Sequence, residues 1–462
     1  MPLLEPREGI PEPVTTSAAL AEVVAALALG TGPVAVDAER ASGYRYGQRA
    51  YLVQLRRAGA GTVLIAPVPL PDLSSLGVAI ADAEWVLHAA SQDLPCLAEV
   101  GMRPTKLFDT ELAGRLLGYP KVGLGIMVEQ HLGFFLEKGH SAADWSSRPL
   151  PASWLAYAAL DVEVLIELRD VLEQDLISQG KLRWAHEEFE ALVTAAPPPP
   201  RADPWRRTSG IHRVRGRRQL AAVRSLWESR DELARDRDIA PGRVLPDAAI
   251  VAAALANPQS PAELSAVSVF GGRQQRRLLP RWFAALAETR TLPDSALPPA
   301  AIPPDGPPPP NRWPDRDPNA AARLAAARAG LAEIAAEHHV PLENLLSPDL
   351  VRRLTWEPPA DPTPAAVGVA LHSGGARRWQ IELTAGPLAV ALTARAARAG
   401  EPVQTVAGTL AGATAQAGET VHAILPTQAS PREQLIVAEE PADVLVSPYL
   451  AGETAPADRP LR

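Results

Sequence analysis

Two carboxylates, Asp37 and Glu39, stand two residues apart in PVAVDAE (33–39), an apolar run typical of a strand. Because side chains alternate along a strand, both carboxylates point to the same face. Two anions side by side on a half-buried face repel each other unless a cation neutralises them. The spacing therefore predicts a cation site, with one alternative: a strand that ends at the solvated rim of its sheet.

Three further residues belong to the same chemistry. Asp93 opens the helical stretch after the strand-like run WVLHAA (85–90), although it could simply be an acid favoured at a helix N-terminus. Tyr157 and Asp161 are four residues apart on one helix face that is otherwise apolar, where an unpaired carboxylate is costly and a tyrosine could merely pack. Four such carboxylates can hold two divalent cations for in-line phosphoryl displacement. Oxygen ligands favour Mg²⁺ or Mn²⁺, and we expect no zinc.

The composition limits the class of protein. The chain has 462 residues, 47% hydrophobic and 21% charged, a globular balance that excludes wholesale disorder. A single cysteine, Cys96, excludes a disulfide framework and a cysteine-based zinc site. The acidic, proline-broken start lacks the pattern of a signal peptide, and no long uncharged apolar run predicts a membrane span. We expect a soluble, cytoplasmic, multidomain protein.

The order of elements predicts one mixed sheet covered by helices in the first ~195 residues. Strand-like runs at 33–39, 51–57, 61–67 and 85–90 are followed by helical segments, among them one from Ser153 to about Gly180. Pro197 to Pro200 then break the chain between two parts that each hold enough apolar residues for a core. Residues ~210–292 and ~319–398 look helical, and IAPGRVLPDAAIV (239–251) has an echo in VPLENLLSPDLVRRL (340–354), as in a duplicated domain.

Charge is unevenly distributed along the chain. Residues 1–193 carry 15 basic and 25 acidic side chains, whereas residues 205–290 carry 16 basic and 8 acidic ones. A positive module in an acidic chain indicates a polyanionic partner, with a solvated helix face as the alternative. The candidate nucleic-acid contacts are the arginines of its two clusters: Arg206, Arg207, Arg213, Arg215, Arg217, Arg218, Arg273, Arg276 and Arg277.

The order DAE (37–39), HAASQD (88–93) and YAALD (157–161) resembles the three exonuclease motifs of the DEDD superfamily, in its tyrosine-containing branch. YLVQL (51–55), LFDTELA (107–113) and DWSSRPL (144–150) narrow the resemblance to the ribonuclease D family. It implies a ribonuclease H-like α/β exonuclease domain at 1–196 and two all-α domains, an HRDC domain at 210–292 and a diverged copy at 319–398. The low-complexity stretch 399–462 lies outside the resemblance, and we expect a flexible tail there.

The resemblance also implies roles for particular residues. The metal ligands would be Asp37, Glu39, Asp93 and Asp161, and Tyr157 would orient or help to deprotonate the attacking water. None of these positions departs from the family pattern. Four other matching residues are expected to lie behind the ligands or in the substrate groove: Asp109, Asp144, Trp145 and Arg148. We interpret His88 as structural, and Gly123 and Gly125 as a turn rather than a phosphate loop.

The expected function is a metal-dependent 3′→5′ exoribonuclease. It would hydrolyse RNA with a free 3′ end, such as tRNA precursors, to 5′-mononucleotides with two divalent cations. A DNA 3′→5′ exonuclease is one alternative, because only the 2′-OH distinguishes the substrates and no motif here recognises it. A catalytically silent nucleic-acid-binding scaffold is another, against which the intact Asp/Glu/Tyr set argues.

Overall fold

The computed structural model describes residues 2–3, 5–136, 139–140, 142–197, 199–302 and 305–396. The predicted tail at 399–462 lies outside these residues. In the described part, no helix is both long and apolar enough to cross a membrane. The strands are β1 Pro2–Leu3, β2 Thr31–Arg40, β3 Ala50–Ala58, β4 Gly61–Ile65, β5 Glu84–Leu87, β6 Lys106–Asp109 and β7 Phe135–Leu136.

Five of these strands form one mixed sheet in the order β4-β3-β2-β5-β6. β2 pairs antiparallel with β3 and parallel with β5, so the strand that carries Asp37 and Glu39 is central. The mixed sheet expected from the sequence is confirmed. Its fifth strand, Lys106–Asp109, is not indicated by the sequence, because it is short and its three consecutive buried residues carry no alternating pattern.

The first group of helices packs around this sheet. They are α1 Ser17–Leu29, α2 Ser74–Ala79, α3 Leu94–Glu99, α4 Thr110–Leu116, α5 Leu124–Leu132, α6 Ala152–Glu163, α7 Leu165–Ser178 and α8 Leu182–Thr194. The segment expected as one long helix is two, α6 and α7, which meet at Val164. The strand expected to run to residue 90 ends at Leu87, because the chain turns at Ala89, whose φ is 58°.

Two helical groups follow. The first comprises α9 Arg217–Asp236, α10 Pro241–Val244, α11 Asp247–Ala256, α12 Pro261–Ala266 and α13 Arg273–Arg290. The second comprises α14 Trp313–Arg316, α15 Pro318–Glu337, α16 Leu342–Leu345, α17 Pro348–Trp356, α18 Pro364–Ser373 and α19 Arg378–Ala391. Both contain a 20-residue helix followed by a four-residue helix. The start of α15 lies 101 residues after that of α9 (318 against 217), and the same offset separates α16 from α10 (342 against 241) and α17 from α11 (348 against 247). The echo in the sequence thus corresponds to a repeated arrangement of helices.

The boundaries between the hydrophobic cores do not coincide with the proline-rich stretches of the sequence. Residues of α9 to α13 form a cluster of their own around Trp282. The last helices instead join the cluster of the sheet, since Trp379 of α19 stacks on Trp184 of α8 with ring centroids 4.8 Å apart. The Trp379 indole also donates a hydrogen bond to Glu188 at 3.0 Å. We therefore expect the segment 1–196 alone to be less stable than it is within the whole chain.

The first helical group contacts the loop that follows β2. Tyr46 of that loop packs against the helical cluster and donates its hydroxyl hydrogen to Asp231 at 3.1 Å. Arg49 pairs with Asp238 at 2.8 Å, and Arg243 donates to the carbonyl of Gly43 at 2.7 Å. The strand that carries Asp37 and Glu39 thus continues directly into a segment held by the basic module.

Candidate active site

Asp37 and Glu39 lie on the same face of β2, as the alternation predicts. Asp37 is opposite Gln54 of β3, whose amide donates to Asp37 at 3.4 Å. Glu39 is only 8% exposed. The alternative of a solvated rim is therefore wrong for Glu39, since both strand neighbours and a helix surround β2.

Helix α6 brings the third carboxylate to this face. It packs across β2, β3 and β4 and carries Tyr157 one turn before Asp161. Carboxylate oxygens of Asp37, Glu39 and Asp161 all lie within 4.8 Å of one another. Burial raises the pKa of Tyr157, with the charge of Asp161 as the next cause, and the Trp145 ring lies 6.4 Å from the tyrosine ring.

Asp93 reaches the same cavity from the other side of β2. It is 5% exposed and stands immediately before α3, yet its side chain makes no capping hydrogen bond to that helix. Its carboxylate instead pairs with Arg40, 3.4 Å away. The role of a simple helix-terminus acid is therefore not supported, although Asp93 stands apart from the close group of three.

The buried acids have too little positive charge around them to neutralise their carboxylates. Desolvation raises the pKa of Asp37 to about 6, of Asp93 to about 8 and of Glu39 to about 10, with mutual repulsion as a further cause for Asp93 and Glu39. The pKa of Asp161 is raised for the same reason, burial first and Asp37 second. Four acids crowded in this way, with Arg40 as the neighbouring cation, favour the uptake of protons or of metal ions.

The donor set fits divalent cations. It consists of carboxylate oxygens, which Mg²⁺ and Mn²⁺ prefer, and no histidine or cysteine belongs to the close group of the described residues. Buried acids without enough partners are costly unless a cation is bound. Asp37, Glu39 and Asp161 are the residues that would hold it, with Asp93 beside them.

The acids open into one cavity of about 490 Å³. Its wall includes segments that the sequence did not indicate, above all the start of α5, where Gly123 precedes the helix and Gly125 lies in its first turn. Added Cβ atoms at either glycine would meet nothing within 4 Å, so both present open backbone to the cavity. The turn expected from the sequence is thus the start of a helix. No local sequence pattern indicates that this helix start lies beside the acids.

The other residues of the resemblance act as supports. Asp109 accepts hydrogen bonds from the backbone amides of Ala89 and Ala90 and caps α4, so it shapes the turn between β5 and Asp93. The Arg148 guanidinium donates to the carbonyls of Trp145, Ser147 and Tyr51. Asp144 accepts from Ser146, and Trp145 is fully buried beside Tyr157.

The structure separates the candidate nucleic-acid arginines into two kinds. Four are engaged within the chain. Arg217 donates to three carbonyls between residues 294 and 298, and Arg218 donates to three between 289 and 292. Arg206 pairs with Asp203 at 3.0 Å, and Arg276 donates to the carbonyl of Gly271.

The side chains of the other five have no ion-pair or hydrogen-bond partner among the described residues: Arg207, Arg213, Arg215, Arg273 and Arg277. Arg273 and Arg277 line a concavity of about 490 Å³ together with Arg237, which the sequence had not singled out. Arg273 and Arg277 also lie in the first turns of α13, where cations are disfavoured by the helix dipole and by each other.

Comparisons with known protein families cover most of the chain. A family described as 3′-5′ exonuclease matches residues 11–177, the HRDC domain matches residues 219–286, and a family described as 3′ to 5′ exonuclease C-terminal domain matches residues 306–392. The domain boundaries expected from the sequence, 1–196, 210–292 and 319–398, stay predictions.

Individual relatives agree with these matches. Ribonuclease D of Acidiphilium cryptum is 32% identical over 370 residues, which are 77% of this chain and 89% of the relative. A crystal structure of a protein from Bifidobacterium adolescentis is 38% identical with a TM-score of 0.77, covering 84% of this chain and 99% of that one. The structure of Escherichia coli RNase D, described as an exoribonuclease involved in structured RNA processing, is 26% identical with a TM-score of 0.61, covering 83% of this chain and 98% of that one.

Proposed function

Because the chain belongs to the ribonuclease D family and is a 3′→5′ exonuclease of that family, we propose that it trims RNA from a free 3′ end in a divalent-cation-dependent hydrolysis. The observation that carries the proposal is the group of Asp37, Glu39 and Asp161 in one cavity with Tyr157 and Asp93. In this proposal the substrates are RNA 3′ ends such as those of tRNA precursors. The active site belongs to a ribonuclease H-like domain, and the protein acts in the cytoplasm.

The residues of the cavity have separate roles in the proposed reaction. Asp37, Glu39, Asp161 and Asp93 would hold two cations, Mg²⁺ or Mn²⁺. Bound there, these ions would supply Lewis acidity for activating the attacking water and for stabilising charge on the leaving 3′ oxygen. Tyr157, one helical turn from Asp161 on α6, orients the water for attack on the terminal phosphodiester, and a 5′-mononucleotide leaves.

The basic module supplies RNA affinity. The five unpartnered arginines, Arg207, Arg213, Arg215, Arg273 and Arg277, together with Arg237, are free to contact phosphates. The four engaged arginines, Arg206, Arg217, Arg218 and Arg276, stabilise the fold through carbonyl and carboxylate contacts. Because guanidinium–phosphate contacts release counterions, binding should weaken steeply with salt.

The test is hydrolysis of 5′-labelled single-stranded RNA and DNA of the same sequence by the full chain. With Mg²⁺ or Mn²⁺ the RNA should shorten one nucleotide at a time from its 3′ end, EDTA should stop the reaction, and tRNA precursors should be trimmed. Preferential digestion of DNA would establish the DNA exonuclease, and binding without hydrolysis would establish the scaffold.

A matched pair of variants assigns the activity to the cavity. Asp37→Asn should abolish hydrolysis without unfolding, because it removes a ligand and relieves carboxylate repulsion. Asp170→Asn makes the same chemical change at a 62% exposed side chain outside the cavity and should keep normal turnover. Near-native turnover of Asp37→Asn in Mg²⁺ would contradict the proposed metal site.

A further inference from the structure

His88 lines the cavity of the acidic group, yet the proposed reaction gives it no task. It follows the last residue of β5 and stands five residues before Asp93. The sequence indicated a structural residue, and one of its ring nitrogens does have a structural contact. The other nitrogen is the point of interest.

The hydrogen-bond network around His88 favours one tautomer. The Thr110 hydroxyl, fully buried, donates its only hydrogen to the carbonyl of Leu87 at 3.1 Å. The same oxygen lies 2.9 Å from Nδ1 of His88 and can therefore only accept there. In the tautomer that satisfies both contacts, Nδ1 carries the hydrogen and Nε2 of the neutral ring has a bare lone pair.

Nε2 is available to a ligand. It has no hydrogen-bond partner among the described residues, and the half-buried His88 side chain lines the cavity. Burial lowers the pKa of His88 to about 4, with Glu111 acting weakly in the other direction. The ring is therefore neutral near pH 7, and Nε2 can accept a hydrogen bond but cannot donate one.

Only a hydrogen-bond donor of the RNA 3′ end can bind to an acceptor in this position. Phosphodiester oxygens are acceptors themselves and gain nothing from Nε2. Base N–H groups differ between nucleotides, whereas an exonuclease must process each nucleotide in turn. The ribose hydroxyls are the donors that every RNA 3′ end carries, and the 2′-OH is the one that DNA lacks.

Resting on the proposed function, we propose that Nε2 of His88 accepts a hydrogen bond from a ribose hydroxyl of the 3′-terminal nucleotide. His88 is thus a specificity-determining residue at the wall of the active site. If the hydroxyl is the 2′-OH, His88 supplies the RNA preference for which the sequence shows no motif.

Two variants separate this role from a structural one. In His88→Gln the side-chain oxygen can take the place of Nε2 as an acceptor, whereas the shorter side chain of His88→Asn reaches only the position of Nδ1. Each is assayed in the full chain with Mg²⁺ on oligoribonucleotides that end in a normal, a 2′-deoxy or a 3′-deoxy nucleotide. Thermal unfolding of both variants checks the fold.

On the normal RNA end, His88→Asn should lower kcat/KM about 3- to 10-fold, as expected for one hydrogen bond between neutral groups, and His88→Gln should restore most of it. On the end that lacks the bound hydroxyl, wild type and His88→Asn should agree within about twofold. Loss of the difference on the 2′-deoxy end identifies the 2′-OH, and loss on the 3′-deoxy end identifies the 3′-OH.

The outcomes that contradict the proposal are distinct. If His88→Asn slows all three ends equally, or leaves all three unchanged, His88 does not bind a ribose hydroxyl and the assignment fails while the proposed function stands. If the wild-type chain degrades none of the RNA substrates, the proposed function fails, and this inference fails with it.

Discussion

Replacing Trp379 with alanine should weaken the packing of the last helices on the exonuclease segment. The Trp379 side chain is fully buried, its ring stacks on Trp184 at an angle of 15°, and its indole donates to Glu188. Truncating a buried tryptophan to alanine lowers the free energy of unfolding by about 3–5 kcal/mol. The lost hydrogen bond adds about 1 kcal/mol, because Glu188 keeps its ion pair with Arg377 at 3.2 Å.

We therefore expect Trp379→Ala to lower the free energy of unfolding by about 4–6 kcal/mol, measured by urea denaturation followed by circular dichroism. Trp379→Phe keeps a stacked ring without the donor and should lose less. Val369→Ala in α18, where the valine is 69% exposed, is the control and should change the free energy by less than about 0.5 kcal/mol. A loss below about 1 kcal/mol for Trp379→Ala would show that the last helices and the sheet do not share a core.

Three further outcomes are expected. Tyr157→Phe should reduce the single-turnover rate about 10²–10⁴-fold with little change in RNA affinity, and an unchanged rate would make Tyr157 a packing residue. Each Mg²⁺ bound at 100 times its dissociation constant should stabilise the wild type by about 2.7 kcal/mol in thermal unfolding, and an equal gain in Asp161→Asn would exclude Asp161 as a ligand. Arg273→Ala with Arg277→Ala should make the slope of log affinity against log salt shallower by about 1.4 on single-stranded RNA. The charge-matched double variant at the exposed Arg316 and Arg328 should keep the wild-type slope, and equal slopes for both double variants would show that α13 does not contact RNA.

Local geometry explains what the sequence could predict about the site. The alternation of a strand places Asp37 and Glu39 on one face, and the pitch of a helix places Tyr157 and Asp161 on one side, whatever the rest of the chain does. Both predictions depend on neighbouring residues alone. The composition of 205–290 likewise predicted a basic helical module, because charge and helical spacing are summed over one segment.

Long-range contacts decided the rest. Whether an arginine is free depends on carbonyls far along the chain, so Arg217 and Arg218, whose partners lie more than 70 residues away, could not be told apart from Arg273 and Arg277. The pairing of Asp93 with Arg40 joins the start of α3 to the end of β2 and has no local pattern.

The sequence by itself determined the chemistry of this protein: the types of the five site residues, their order and the helical basic module that follows. The tertiary structure alone decided which acids form the close group, which nitrogen of His88 contacts Thr110 and that the last helices share the core of the sheet. The physical reason is that side-chain identity and backbone period are properties of neighbouring residues. Distances, desolvation and the tautomer of a buried ring depend instead on groups that only folding brings together.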